Sequence, residues 1–315
     1  LHYHTQMRKQ HYIPPIVPIV LLLLSGCARE VMIDLPDAPR RIVAISHFEP
    51  GQSFKVRVTL SQSLSATGDP EAPTDADVSL SSNGLFLDKL RARTINNKLY
   101  WVSKLIAKPN VPYTLTVRVP GRPTVEANCT VPTHRALQPL KVSQDEVRYD
   151  TLTDGTVARR MALELRVKDL PAQNRYFAFN IQHVIDVLNV EGPEPLVEYS
   201  YTANSLYVAD GRTSSLLYNI SEPVVLIDAE FWNTNDQVLR LDALIPYKPE
   251  TEAPQRVLIE WRTLSEEFYK YHLSLARQGN NLPLSDPDAV YNNVLDGYGN
   301  FSGYTVSIDT VVELR

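Results

Sequence analysis

Ser53-Phe54-Lys55-Val56-Arg57-Val58-Thr59-Leu60 decides the fold class. Phe54, Val56, Val58 and Leu60 recur at every second position, with Lys55, Arg57 and Thr59 between them. A period of two belongs to a strand with one face in a core and the other in water. The same alternation runs through Tyr113, Leu115, Val117 and Val119, and again through Val125, Ala127, Cys129 and Val131. Between those two runs, Pro120-Gly121-Arg122-Pro123 has the composition of a turn. Asn83-Gly84, flanked by Val78–Leu80 and Leu85–Leu87, is a two-residue hairpin cue. Short strands joined in this way predict an immunoglobulin-like β-sandwich over residues 41–133. Cys129 is in phase with its inward face, which makes it a small core hydrophobe rather than a nucleophile.

Pro132 to Pro139 breaks the alternation, so residues 134–140 read as a linker. The pattern then restarts. Met161, Leu163, Leu165 and Val167 alternate with Ala162, Glu164, Arg166 and Lys168, and strand-like runs follow at 175–181, 224–232, 238–245 and 256–264. A second β-sandwich domain over residues 141–315 is the expectation, giving a mainly β protein. One segment, residues 265–278, switches to the helical period. Ser265 suits the N-cap, Glu266 and Glu267 the first turn, and Gly279 the far end. Leu264, Phe268, Tyr271, His272 and Leu275 then share the face that packs on the second sheet.

Upstream, Arg8 and Lys9 precede a short apolar run from Ile13 to Leu24 and then Ser25, Gly26 and Cys27. Pro14, Pro15 and Pro18 break that run, and spanning a membrane takes ~20 mostly apolar residues. Residues 1–26 therefore read as a lipoprotein signal peptide with Leu24-Ser25-Gly26-Cys27 as its lipobox, Cys27 as the lipid attachment site and residues 27–40 as a tether. Met7, directly before Arg8-Lys9, suits a start of translation. Lipidation of Cys27 leaves Cys129 without an intrachain disulfide partner. The chain carries 31 Lys+Arg against 36 Asp+Glu, a net charge of −5, and shows no basic block. Nucleic acid is not an expected partner.

The chemistry-bearing residues are sparse. His47, His134, His183 and His272 are scattered without the spacing of a zinc site, and His272 reads as a satisfied packing residue. Asp75/Asp77 and Asp286/Asp288 lack the further oxygens that calcium needs. No Gly-x-Ser-x-Gly elbow occurs and no cysteine is placed for nucleophilic work, so no catalytic residue, metal or cofactor is expected. Gly297-x-Gly299-x-x-x-Gly303 is not a dinucleotide fingerprint, since Thr305-Val306-Ser307-Ile308 after it is strand-like. Tyr298, Phe301 and Tyr304, interleaved with those glycines, have two readings: an aromatic platform for a ligand or partner, or plugs for the second domain's core. Asp150-Thr151-Leu152 and Asp309-Thr310-Val311 resemble envelope O-glycosylation acceptors, with Thr151 and Thr310 as the modified residues.

A wider resemblance rests on the lipobox, Ile33-Asp34-Leu35-Pro36, Arg41-Ile42-Val43, Tyr113-Thr114-Leu115-Thr116-Val117, Glu267-Phe268-Tyr269-Lys270-Tyr271 and the run Tyr291 to Tyr304. Together they are similar to the Bacteroidota envelope lipoproteins of domain-of-unknown-function family 4249. The family's terminal pattern runs close to Ser-Asn-Ile-x-Asn-Gly-x-Gly-x-Phe, with Asn292 and Asp296 as this chain's departures. The resemblance implies an outer-membrane lipoprotein encoded beside TonB-dependent receptors, with no established enzymatic activity. Three functions are compatible with these residues: an accessory binding module of a TonB-dependent uptake system held in the membrane through Cys27, a surface hydrolase acting on glycans or peptides, or a structural or adhesive envelope protein. Ala28-Arg29-Glu30 does not decide between the cell surface and the periplasmic face.

Overall fold

The computed structural model describes residues 39–63, 66–133, 142–151, 156–166, 176–188, 195–202, 206–208, 225–228, 238–279 and 289–313. Alternation translates into strands where the sequence places them. In β1 (Ile42–Phe48) and β2 (Ser53–Leu60) every second residue is buried, and the two strands pair antiparallel. β3 (Asp77–Ser82) and β4 (Leu85–Lys89) form the hairpin whose turn is Asn83-Gly84, both with positive φ. β5 (Arg91–Ile95) and β6 (Lys98–Ile106) form a second hairpin around Asn96 and Asn97, also both at positive φ, which the short side chain of asparagine tolerates. β7 (Pro112–Arg118) and β8 (Val125–Thr130) pair across the Pro120-Gly121 turn, where Arg122 N donates to Val119 O.

The remaining strands are β9 (Val142–Thr151), β10 (Val157–Arg166), β11 (Tyr176–Leu188), β12 (Pro195–Thr202), β13 (Leu206–Val208), β14 (Val225–Asp228), β15 (Val238–Tyr247) and β16 (Glu252–Leu264). After β16 come the helix α1 (Glu266–Gly279), the short β17 (Val294–Leu295) and the long β18 (Tyr298–Glu313). The protein is mainly β with one helix near its C-terminal end, and its strands build two β-sandwich-like halves.

What joins the halves is a continuous sheet in the order β12-β11-β16-β18-β1-β2-β6-β5, with β14 also on β11. β18 is its seam. Tyr298 to Gly303 run parallel to Val43–Phe48 of β1, and from Tyr304 onward the strand pairs antiparallel with β16. A five-stranded sheet, β17-β8-β7-β3-β4, covers the first half, and a four-stranded sheet, β13-β15-β10-β9, belongs to the second. The first core holds Phe48, Phe54, Val56, Val58, Leu80, Trp101, Tyr113, Leu115, Val117, Val125 and Cys129, and also Val294 and Phe301 from the chain's end.

This corrects one feature of the sequence reading. Residues 141–315 were expected to form a domain of their own, yet Val294 to Gly303 complete the first sandwich, and residues 40–315 form one compact unit. The physical reason is that β1 needs a neighbour on the side away from β2, and β18 supplies it. The expected linker 134–140 lies outside the described residues, as do the signal segment and residues 27–38 of the tether.

α1 begins where the sequence indicates. Ser265 Oγ accepts from Phe268 N at 3.3 Å, Ser265 O accepts from Tyr269 N, and Lys270 pairs with Glu266 one turn back. Phe268 and Tyr269 pack with Ala178, Leu226 and Leu264, while Tyr269 stacks on Tyr176 of β11 at 4.5 Å. The helix thus lies on the continuous sheet, next to the seam.

Candidate functional site

The densest polar chemistry among the described residues surrounds the first half of β18. Asn292 folds the chain on itself: its Oδ1 accepts from Val294 N at 3.0 Å, and its Nδ2 donates to Val294 O and Gly297 O. Asn293 does something less usual. Its Oδ1 accepts from Phe301 N at 2.9 Å and its Nδ2 donates to Phe301 O at 2.8 Å, so one side-chain amide stands in for a neighbouring strand. The same Nδ2 reaches Asn128 O within β8, tying the two sheets together. Asn300 Nδ2 donates to Glu267 O at 3.2 Å, and Ser302 Oγ to Asn300 Oδ1, fixing β18 to the first turn of α1.

Glycine is required where β18 meets β1. A Cβ on Gly297 would stand 2.7 Å from Ile42 O and 2.8 Å from Val125 Cγ1. On Gly299, whose φ is +123°, it would run into the Ala44 carbonyl oxygen. We call β17, its turn and Tyr298 to Gly303 the clasp. Asn293→Ala removes the surrogate strand and leaves the buried Phe301 amide and carbonyl unpaired. It is expected to cost about 2–4 kcal/mol, read as a lowered urea midpoint at unchanged slope.

Beneath α1, the clasp adjoins an aromatic cluster. His47, on the face of β1 opposite the core, lies 4.9 Å from His272, 5.2 Å from Phe268 and 5.6 Å from Tyr271, ring centre to ring centre. Asn300 hydrogen-bonds His47, but Nε2 of His47 and both ring nitrogens of His272 have no partner among the described residues. Burial pushes the His47 imidazole down to about 4, the Asn300 contact opposing it in part. Burial, His47 and Arg262 together push His272 down to about 3. Both rings are therefore neutral at pH 7. The histidines are scattered in the sequence, yet two of them meet in the structure, and His272, expected to be satisfied, has no hydrogen-bond partner for its ring nitrogens among the described residues. A strand residue and a helix residue so far apart in the chain leave no local signal of their meeting.

The sign of the pH effect follows. Between about 4 and 6.5 the unfolded histidines bind protons that the folded ones do not, so stability is full above pH 6.5 and falls as acid is added. His272→Phe keeps the ring packing and removes that ring's share of the titration, leaving His47. It is expected to abolish about 2 kcal/mol of the stability lost between pH 7 and pH 5. Urea midpoints of the two proteins at both pH values check this.

Cys129 faces the first turn of α1, its thiol donating to the Glu267 carboxylate at 3.7 Å. Burial, aided by Glu267, pushes this thiol up to about 12, so it is no nucleophile at neutral pH. Among the described residues no three of His, Cys, Asp and Glu are placed to share a metal ion.

The expected aromatic platform is not one surface. Tyr298 is 45% exposed with the Arg41 guanidinium 5.4 Å above it, Phe301 is wholly buried against Phe48 and Phe54, and Tyr304 lies against Phe268 and Arg262. Strand alternation puts Phe301 on the face opposite the other two, and about 20 Å of strand separates Tyr298 from Tyr304. Phe301 is a plug, but for the first sandwich's core and not the second's. Thr151 ends β9 opposite Val157, and Thr310 pairs with Leu258 inside β18. Asp77 is engaged by Lys89 at 3.0 Å. Leu24, Ser25, Gly26, Cys27, His134, Asp286 and Asp288 lie outside the described residues.

A continuous sheet shared by two β-sandwich-like halves and locked by an asparagine-glycine clasp defines a mainly β protein whose most distinctive segment holds its fold. The chain belongs to the family described as a domain of unknown function (DUF4249), whose model matches residues 28–309. No curated protein matches it.

Proposed function

We propose that this is a lipid-anchored envelope lipoprotein of the Bacteroidota that works by binding, as an accessory module of a TonB-dependent outer-membrane uptake system. The observation that carries the reading is the junction at Cys27: the family match begins at residue 28, directly after Leu24-Ser25-Gly26-Cys27. A lipid at Cys27 would then attach to the residue directly before the segment that the family match covers. Two or more acyl chains anchor stably where one does not. The clasp gives further support for binding over catalysis. Asn292 and Asn293 are engaged with backbone, and Cys129 is held as a thiol.

Two measurements test the proposal. Cys27→Ala is expected to move the protein from the membrane to the soluble fraction and to abolish its labelling by radioactive palmitate. Affinity purification of the lipidated protein from membranes is expected to recover a TonB-dependent receptor. An unlabelled Cys27 would end the lipoprotein reading, and repeated recovery of the protein alone would end the accessory reading.

A further inference from the structure

Leu85, Phe86 and Leu87 of β4 are 72%, 68% and 39% exposed. Successive strand side chains point to opposite faces, so three exposed apolar neighbours mean that both faces of the strand stand in water. Among the described strands β4 has a neighbour on one side alone, β3, and ends the five-stranded sheet. Its outer backbone amides and carbonyls are open to another chain.

The charge around this edge is mainly positive. Leu90 alone separates β4 from β5, which ends the continuous sheet. Arg91, Arg93, Lys98 and Lys104 are all exposed, while Lys89 is paired with Asp77 of β3. Asp88 is the single acid from residue 83 to 106, and it is turned onto Ser103 Oγ and the Lys104 amide. A basic, apolar edge thus stands on a chain of net charge −5. Arginines on an edge strand normally deter pairing. Here they adjoin an unguarded Leu-Phe-Leu, a combination that repels basic chains and admits acidic ones.

We infer that β4, with Arg91 and Arg93 beside it, is a docking edge for an extended segment of a partner protein that alternates apolar and acidic residues and adds as a further strand. The inference deepens the binding reading above by naming the kind of partner segment recognised. A strand satisfies the open backbone groups of β4, which lipid cannot do. The hairpin tip also lies where β1 ends and not where it begins. Ser81 pairs with Thr114, and the adjacent Tyr113 packs on Phe48 and Phe54, whereas Ile42 sits with Leu60 at the other end.

The probe is a fluorescein-labelled ten-residue peptide of alternating valine and glutamate, titrated against the purified protein at low salt. It is expected to bind at least ten-fold more tightly than its valine-lysine counterpart. Phe86→Ser and the pair Arg91→Glu/Arg93→Glu are each expected to weaken binding ten-fold or more, with thermal midpoints unchanged because these side chains are exposed. N-methylation of alternate peptide nitrogens, which blocks strand pairing and keeps the charge, is expected to abolish binding. Equal binding of the two peptides, or full binding of the methylated one, would overturn the inference. So would Phe86-dependent binding to vesicles containing phosphatidylglycerol with none to the peptide. Recovery or loss of a TonB-dependent receptor in the purification above does not bear on these titrations, so the two proposals fail separately.

Discussion

Replacing Gly299 by alanine is expected to destabilise the protein by about 3 kcal/mol or more, a large share of a typical total of about 5–15 kcal/mol. Two costs fall on one atom. The φ of +123° is outside what an alanine adopts without strain, and the new methyl group would stand 2.0 Å from the Ala44 carbonyl oxygen. That oxygen belongs to the backbone of β1, inside a parallel ladder from Val43 to Phe48, so it cannot turn aside as a side chain would. Gly51→Ala is the comparison. Gly51 also has positive φ, at +85°, but open space around its Cβ position, and its replacement is expected to cost only about 1–2 kcal/mol. Urea denaturation of the two variants separates crowding from backbone strain. Similar midpoints would mean that β18 can retreat from β1 at little cost.

A fragment comprising residues 40–133 is expected to remain unfolded, although it contains every strand that the sequence assigns to the first sandwich. Without β18, β1 loses its neighbour from Val43 to Phe48. Without Phe301 and Val294, the core around Phe48 and Phe54 is left with a hole. In the whole chain, truncating one such phenylalanine, Phe301→Ala, is expected to cost about 3–5 kcal/mol, and the fragment lacks the strand as well. Amide proton dispersion measures the outcome. The fragment alone should give a collapsed spectrum, and adding a peptide of residues 289–313 should disperse it. Cooperative unfolding of the unassisted fragment would contradict the reading.

The two expectations rest on what the sequence did not make legible. Alternation in Ser53–Leu60, Tyr113–Val119 and Val125–Val131 reports which face of a strand is buried, and those faces are buried as expected. The asparagine-glycine turn and the Ser265 cap are likewise set within a few residues of themselves. Partners are another matter. Nothing local in Ile42–Phe48 names Tyr298–Gly303 as its neighbour, because a parallel pairing is settled by the whole core and not by a turn. Asn96-Asn97 escaped notice since the stronger cue, asparagine-glycine, was absent. The glycines and aromatics of the terminus stood out in the sequence, but their roles depended on β1, which supplies the carbonyl at Gly299, and on the alternation that sends Phe301 inward. His47 and His272 met for the same reason, through the helix that packs over β1.

The parallel ladder between β1 and β18 also sets a clock. The two strands lie almost the whole length of the chain apart, so β1 leaves the ribosome long before its neighbour exists. At about 5–20 residues per second, the wait is on the order of ten seconds or more. During that interval Phe48, Phe54 and the bare edge of β1 are open to whatever holds nascent chains, and long-range pairings of this kind are intrinsically slow to form. The first sandwich therefore cannot close its sheet until Tyr298–Gly303 has emerged, about 250 residues of synthesis after β1.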